Sequence, residues 1–386
     1  MKRIGAALVL SLWLLATPAS ADESPCAAPA ILDDGWDAST PGAAGFDAGA
    51  LCKTLAGVAA GDTNIHAVVI ERRGRLVAEL YRKGHDLSID ALYGLWRPFA
   101  ADKEFGPASR HDVRSISKSV VGLLVGIAVQ QGEIKSLATP ALDFYPEYAQ
   151  LRSPVRDAVH LEHLLTMSSG FDWDEGALPN DETRLYWDWA PYRYVLSRPL
   201  VATPGALWHY DSGGTAVLAD ILVRTSGKSL TELARVQLFE PLGITDWEWV
   251  VDPHGRELAF TGLRMRPRDL AKVGRMALDG GRWRGRQVVP AAWIAESLRP
   301  HISTKLKSPP TATDEMHYGY QWWTGTVEWH GRKLAWSAAF GNGGQRLFVV
   351  PVLDLTVVIT AGDYGSSEIA HTANRLFEQI VAAVAP

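Results

Sequence analysis

The 386-residue sequence predicts an α+β fold, an antiparallel sheet flanked by helices and formed by both chain ends around a helical middle. Three observations carry this expectation. Early in the chain, residues 66–71 and 75–81 are β-rich runs on either side of Arg72-Arg73-Gly74, a hairpin pattern. Near the end, residues 333–338, 345–350 and 355–361 form three more strand patterns with short turns between them. In between, residues 133–260 carry short helical patterns broken by Pro and Gly. Strands at both ends with helices between them pair in one sheet that the helices cover.

The elements follow in order. Met1-Lys2-Arg3, an apolar run through Leu15 and the small-residue site Ala19-Ser20-Ala21 predict a signal peptide over residues 1–21. The run is too short for a permanent membrane anchor, and the mature chain is expected in the periplasm or secreted. Cleavage removes Lys2, Arg3 and no acid, so the formal charge moves from −5 to −7. Such an acidic chain is a poor partner for nucleic acid or an anionic membrane. Residues 22–45, rich in Ala, Pro, Asp and Gly, read as an extended arm. Cys26 and Cys52, the two cysteines of the chain, are expected to form a disulfide in an oxidising compartment. Residues 84–112 read as a long irregular stretch, and a buried helix follows and ends near Gly132. His160-Leu161-Glu162-His163 looks like a ligand pair, but it opens a helix over 160–167 and reads as capping and surface chemistry. Trp187, Trp189, Trp322 and Trp323 fit an aromatic-walled pocket or a Trp-rich core equally well. Ile369, Ala373, Leu376, Ile380 and Val384 mark a final amphipathic helix.

The chemistry starts at Ser115. In Arg114-Ser115-Ile116-Ser117-Lys118 it is followed by Lys three positions on, and the residues after it are apolar almost all round. Residues i and i+3 share one helix face, and the first turn gathers free backbone N–H groups. That is the arrangement of a nucleophilic serine with its base one turn away. Alone, the pattern also describes a Ser cap beside a snorkelling Lys. Two later segments add to it, Trp208-His209-Tyr210-Asp211-Ser212-Gly213-Gly214 and Phe340-Gly341-Asn342-Gly343-Gly344-Gln345.

In order and spacing these three segments resemble the serine β-lactamase and penicillin-binding-protein superfamily, in particular the branch of 6-aminohexanoate-dimer hydrolases and related serine esterases. The stretches His163 to Gly170, Pro241 to Ile244 and Arg266 to Lys272 fit the same branch. The resemblance implies a catalytic domain over 46–386. Its sheet subdomain would span about 46–112 and 300–386, and its all-helical subdomain about 113–299, with the site in the cleft between them. It implies Ser115, Lys118 and Tyr210 as catalytic residues. It also implies oxyanion donors from the Ser115 amide and the strand edge Gly341, Asn342, Gly343 and Gly344, with Asn342 first and Gly344 second. Substrate-contact candidates are Ser212, Asp211, Trp173, Tyr186 and Trp187. Neither metal nor organic cofactor is implied.

Making a lysine neutral at pH 7 costs roughly 4–5 kcal/mol relative to water, whereas a helix N-terminus supplies ~0.3–1 kcal/mol. Burial and a hydrogen-bonded partner, expected to be Tyr210, must do the rest. Which of Lys118 and Tyr210 is the formal base is open at this level. Two departures bear on substrate. Ser212 stands where class C β-lactamases carry Asn. Ala339-Phe340-Gly341 lacks the opening Lys or His that holds a carboxylate in relatives, unless Arg346 or another base substitutes. The expected function is an exported serine hydrolase cleaving an uncharged short-chain ester or linear amide. The alternatives are a β-lactamase or D,D-peptidase, and a non-catalytic ligand-binding sensor on the same fold.

Overall fold

The computed structural model describes residues 26–89, 101–176, 180–307 and 314–386. The expected signal peptide and the start of the arm lie outside them. Nine strands form one sheet: β1 (Asp37–Ala38), β2 (Ile65–Arg72), β3 (Arg75–Tyr81), β4 (Ile302–Lys307), β5 (Glu315–Tyr318), β6 (Trp323–Trp329), β7 (Arg332–Gly341), β8 (Gln345–Val350) and β9 (Leu355–Ala361). Their order across the sheet is β1-β3-β2-β9-β8-β7-β6-β5-β4. Every pairing is antiparallel except β1 with β3. The two chain ends meet where β9 runs against β2.

The central strands β2, β8 and β9 are buried along their whole length. Side chains alternate across a strand, so such strands need a core on each face. Val69, Leu347 and Val358 enter one core with the helices α2 (Ile116–Gln131), α3 (Ser212–Ser226) and α4 (Pro267–Leu278). Val68, Ile70, Phe348 and Ile359 enter the other, with α1 (Ala48–Ala60) and α5 (Ser367–Ala382). The first core continues into the helical region, which makes α2 its axis. Residues 116–128 of α2 are all buried, and the helix stops at Gly132, whose φ of 78° suits the left-handed cap. Gly126 lets an indole lie against the helix, since an added Cβ would sit 2.2 Å from Trp293.

The middle of the chain is mostly rather than wholly helical. Strands Trp247–Trp249 and Leu263–Met265 join His111–Asp112 in a three-stranded sheet. Helix α4, within 113–299, packs on β8, β9 and β2 of the main sheet. The stretch expected to be irregular contains the antiparallel pair Lys83–Asp86 and Ala101–Glu104; short polar runs give no alternation to read. Its residues 90–100 lie outside the described ones. The helix expected over 160–167 is shorter, Leu161–Leu165, and the His160 amide donates to His163 Nδ1 at 3.1 Å. Val384 lies just past α5, where its carbonyl accepts from Trp329 Nε1 at 3.0 Å. No helix among the described residues is long and apolar enough to cross a membrane.

The arm is fixed by charge and by a covalent bond. Buried Arg268 on α4 donates to Asp34 Oδ2 at 2.6 Å, to the Ala30 carbonyl at 3.1 Å and to Glu79 at 2.9 Å, while Trp36 Nε1 donates to the Arg268 carbonyl at 3.0 Å. A disulfide joins Cys26 to Cys52 on α1, with Cα atoms 5.4 Å apart. On the chain-entropy view a loop of this size stabilises by ~3.5 kcal/mol. Peptide mapping without reduction should recover the linked pair, and the Cys26→Ser, Cys52→Ser double variant should have a lower denaturant midpoint, with an unfolding free energy reduced by about that amount. Two free thiols in protein from an oxidising compartment, or an unchanged midpoint, would contradict this.

Candidate active site

Arg114 sets the entry to α2. It turns the chain out of His111–Asp112 with φ of 52°, a left-handed conformation uncommon outside glycine. Its guanidinium lies 3.8 Å from the Tyr364 ring centroid and donates to the Leu87 carbonyl at 2.9 Å. Ser115 follows at the helix start, and its side chain caps nothing. Instead Oγ accepts from Lys118 Nζ at 2.8 Å. Lys118 is 1% exposed, so it does not snorkel, and its second acceptor is the Phe260 carbonyl at 2.8 Å. The expected Lys118–Tyr210 hydrogen bond is not formed among the described residues. Nζ instead lies 5.1 Å from the Tyr210 ring centroid. A hydrogen bond to Ser115 favours the ionised Tyr210 phenol, so Ser115 is the common neighbour of the two groups.

Burial pushes Lys118 below the usual lysine value, against the pull of the Glu182, Glu175 and Asp211 carboxylates. Burial first, then Glu175, pushes Tyr210 well above the usual phenol value. The two groups therefore move in opposite senses. The lysine becomes the easier group to hold neutral as a base, and the phenol keeps its proton.

Sequence reasoning missed Glu175 and Glu182, which line the same cleft as Ser115 and Tyr210. Glu175 Oε1 accepts from Trp173 Nε1 and from the Ser212 amide, each at 2.8 Å. Glu182 accepts from Ser212 Oγ at 3.2 Å and from Tyr186 Oη at 3.3 Å. Ser212, Trp173 and Tyr186, expected to touch substrate, are buried and hold these carboxylates in place. Asp211 is likewise buried at the start of α3, where Oδ1 accepts from the Gly214 amide at 3.0 Å as a helix cap. Trp187 is 39% exposed and is not among the cleft residues; its carbonyl faces His254. The available sequence signal was the pair of acids Glu175 and Glu182, but no spacing rule singles them out.

The cleft, about 410 Å³, has its other wall on the sheet: Trp323, Phe340, Gly341, Asn342, Gly343 and Arg346. The end of β7 packs directly against the approach to Ser115. A Cβ at Gly341 would meet the Val113 carbonyl at 2.3 Å. Asn342 lines this wall and its Oδ1 accepts from the Gly365 amide at 2.7 Å. Gly344, expected as a second oxyanion donor, faces Ala361 and Ile369 instead and is not a cleft residue. The turn places it past the edge. The aromatic wall is Tyr210, Trp323 and Phe340, with centroids 6.0 and 5.5 Å apart along that row. Trp322, the neighbour of Trp323, is fully buried in the core of the helical side.

A family model described as Beta-lactamase matches residues 52–380. The chain belongs to the β-lactamase family. Within it, the 6-aminohexanoate-dimer hydrolase of Paenarthrobacter ureafaciens is 28% identical over 312 residues, covering 77% of this chain and 72% of that one. A β-lactamase of Escherichia coli K12 is 26% identical over 195 residues, 49% of this chain and 48% of that one. Among solved structures, EstCE1, described as a hydrolase with promiscuous acyltransferase activity, superposes with a TM-score of 0.66 at 15% identity, covering 86% of this chain and 99% of that one. A family VIII carboxylesterase gives 0.63 at 16% identity, covering 86% and 96%. These two structures share the fold.

The carboxylate side of this β-lactamase-family cleft sets a pH dependence. Burial first, and then Glu175, raise Glu182 from 4.5 to about 7, against Lys118. Between those values the folded state keeps a proton that the unfolded chain has released, so stability falls as pH rises through the window. Glu182→Gln has no such proton to lose. Urea unfolding from pH 4.5 to 8 should show wild type losing stability relative to Glu182→Gln as pH rises. A difference constant with pH would contradict the assignment.

Proposed function

We propose that this chain is an exported serine hydrolase that cleaves a linear amide or ester through a Ser115 acyl-enzyme. The observation that carries the reading is the contact of the buried Lys118 Nζ with Ser115 Oγ at 2.8 Å. Export rests on the pattern of residues 1–21 and agrees with the Cys26–Cys52 disulfide.

In this reading Ser115 Oγ adds to the acyl carbon while its proton passes to neutral Lys118. The oxyanion lies between the Ser115 N–H and the Gly341–Gly343 edge of β7, in a partly desolvated cleft where such donors act strongly. Collapse breaks the acyl–N or acyl–O bond, the leaving group takes a proton from Tyr210, and the Lys118 ammonium gives the proton it took from Ser115 to the phenolate, so that amine and phenol both end neutral. Water then attacks the acyl-enzyme by the reverse proton path. Glu175 and Glu182, rather than the capping Asp211, are the acids able to receive an amine-bearing substrate. The relationship to a 6-aminohexanoate-dimer hydrolase supports an amide of that kind.

Intact mass after a fluorophosphonate tests the nucleophile, and turnover on the same preparation tests the substrate. One adduct is expected on wild type and none on Ser115→Ala with the fold retained by circular dichroism. kcat/KM for p-nitrophenyl butyrate or the 6-aminohexanoate dimer should exceed that for nitrocefin. Full labelling of Ser115→Ala would remove the nucleophile. An unlabelled wild type that turns over nothing would favour a binding sensor, and nitrocefin as the best substrate would make the chain a β-lactamase.

A further inference from the structure

Asn342 and Gly343 stand on the cleft edge opposite Ser115, yet the sheet does not hold them. The pairing of β7 with β8 ends at Gly341 and Gln345, so the turn between these two residues has no strand partner. A misplacement of about 1 Å in a site that stabilises an oxyanion can cost ~100-fold in rate. This turn therefore has to be fixed from outside the sheet. Two contacts reach it, both from the turn before α5. The Gly365 amide donates to Asn342 Oδ1 at 2.7 Å. The Tyr364 ring lies against Gly343, where an added Cβ would sit 2.5 Å from Cδ1 and where φ is 81°. The same ring has the Arg114 guanidinium 3.8 Å from its centroid, and Arg114 directly precedes Ser115. One side chain thus touches both sides of the proposed oxyanion site.

Tyr364 is itself held. Its Oη donates to Asp86 Oδ1 at 2.8 Å, and Arg114 donates to the carbonyl of the next residue, Leu87, at 2.9 Å. Burial first, and then Asp86, push the phenol well above its usual range, so it stays a donor. The turn that carries it is tied to the start of β2. Asn64 Nδ2 donates to Asp363 Oδ1 at 2.8 Å, and the Gly362 amide donates to the Asn64 carbonyl at 3.1 Å. Tyr364 is not among the residues that line the cleft. We infer that Tyr364 is a positioning residue whose ring sets the spacing between the Ser115 amide and the Asn342–Gly343 edge. This rests on the proposed Ser115 acyl-enzyme and names what holds its second oxyanion wall. Acylation and deacylation both pass through an oxyanion. An error in the spacing slows both steps alike, so it lowers kcat and leaves KM where it was.

The test compares wild type with Tyr364→Phe, Tyr364→Leu and Tyr364→Ala on p-nitrophenyl butyrate and in fluorophosphonate labelling. Tyr364→Ala and Tyr364→Leu should lose about 10- to 100-fold in kcat, with KM held within about threefold. Tyr364→Leu keeps much of the bulk and carries the test if Tyr364→Ala does not fold. Tyr364→Phe retains the ring and should keep most of kcat. The labelling rate should fall with kcat, and its apparent pKa should stay at the wild-type value, because the Ser115–Lys118 contact is untouched. A kcat within about twofold of wild type in both Tyr364→Ala and Tyr364→Leu overturns the proposal. So does a rise in KM at constant kcat, a Tyr364→Phe as slow as Tyr364→Ala, or a shifted labelling pKa. Hydrogen exchange needs no turnover. Over residues 341–345 it should run about 10-fold faster in Tyr364→Leu than in wild type, with residues 116–128 unchanged. Equal exchange over 341–345 counts against Tyr364 alone, even where wild type labels at Ser115. A wild type with neither adduct nor turnover removes the Ser115 reading, and the exchange still decides whether Tyr364 holds the turn.

Discussion

The structure turns on one buried amine. Lys118 lies in the first turn of α2 with its Nζ on Ser115 Oγ and the Phe260 carbonyl. An ammonium removed from water loses several kcal/mol of hydration. The site returns part of that through the nearby Glu182, Glu175 and Asp211 carboxylates. Burial dominates the balance, so the amine shifts toward neutrality, which is the condition for taking a proton from serine. Those carboxylates sit close enough to act on the lysine and too far to pair with it, since both Nζ partners are neutral oxygens.

The rest of the fold holds that geometry. Helix α2 must be buried all round to keep Lys118 dry, and it is enclosed by α3, by Trp293 across Gly126 and by the sheet. The sheet must bring β7 against the start of α2, and Gly341 allows this because any side chain there would strike the Val113 carbonyl. The β2–β9 pairing joins the chain ends and fixes β7 and β8 relative to the helical region. The opposite core, closed by α1 and α5, backs the aromatic wall of the cleft through Trp323 and Phe340.

Local signals made much of this legible in the sequence. The β2–β3 hairpin, the three late strands and the buried helix are continuous patterns of ten residues or so, and periodicity reads them directly. Ser115, Lys118 and Tyr210 carry motifs. The acids were different. Glu175 and Glu182 line the cleft because each meets Ser212 at the start of α3, a tertiary fact with no sequence period. Asp211 and Ser212 stand in a motif and were read as substrate contacts, but the first atoms they meet are the helix amides and the two glutamates. Gly344 shows the limit of reading a turn residue by residue: glycines adjacent in sequence face the cleft and the core in turn. Arg346 drew notice as a possible substitute cation, and only the structure reveals that its partners among the described residues are neutral oxygens.

The central claim is that burial lowers Lys118 below the ordinary lysine range and that its neutral form deprotonates Ser115. The pH dependence of the fluorophosphonate labelling rate measures this without a substrate. In wild type the rate should rise with an apparent pKa below lysine's ordinary ~10.4 and reach a plateau, while Lys118→Ala should label slowly with no such plateau. A wild-type rate that climbs without levelling off through pH 10, or a Lys118→Ala profile that matches it, would contradict the account.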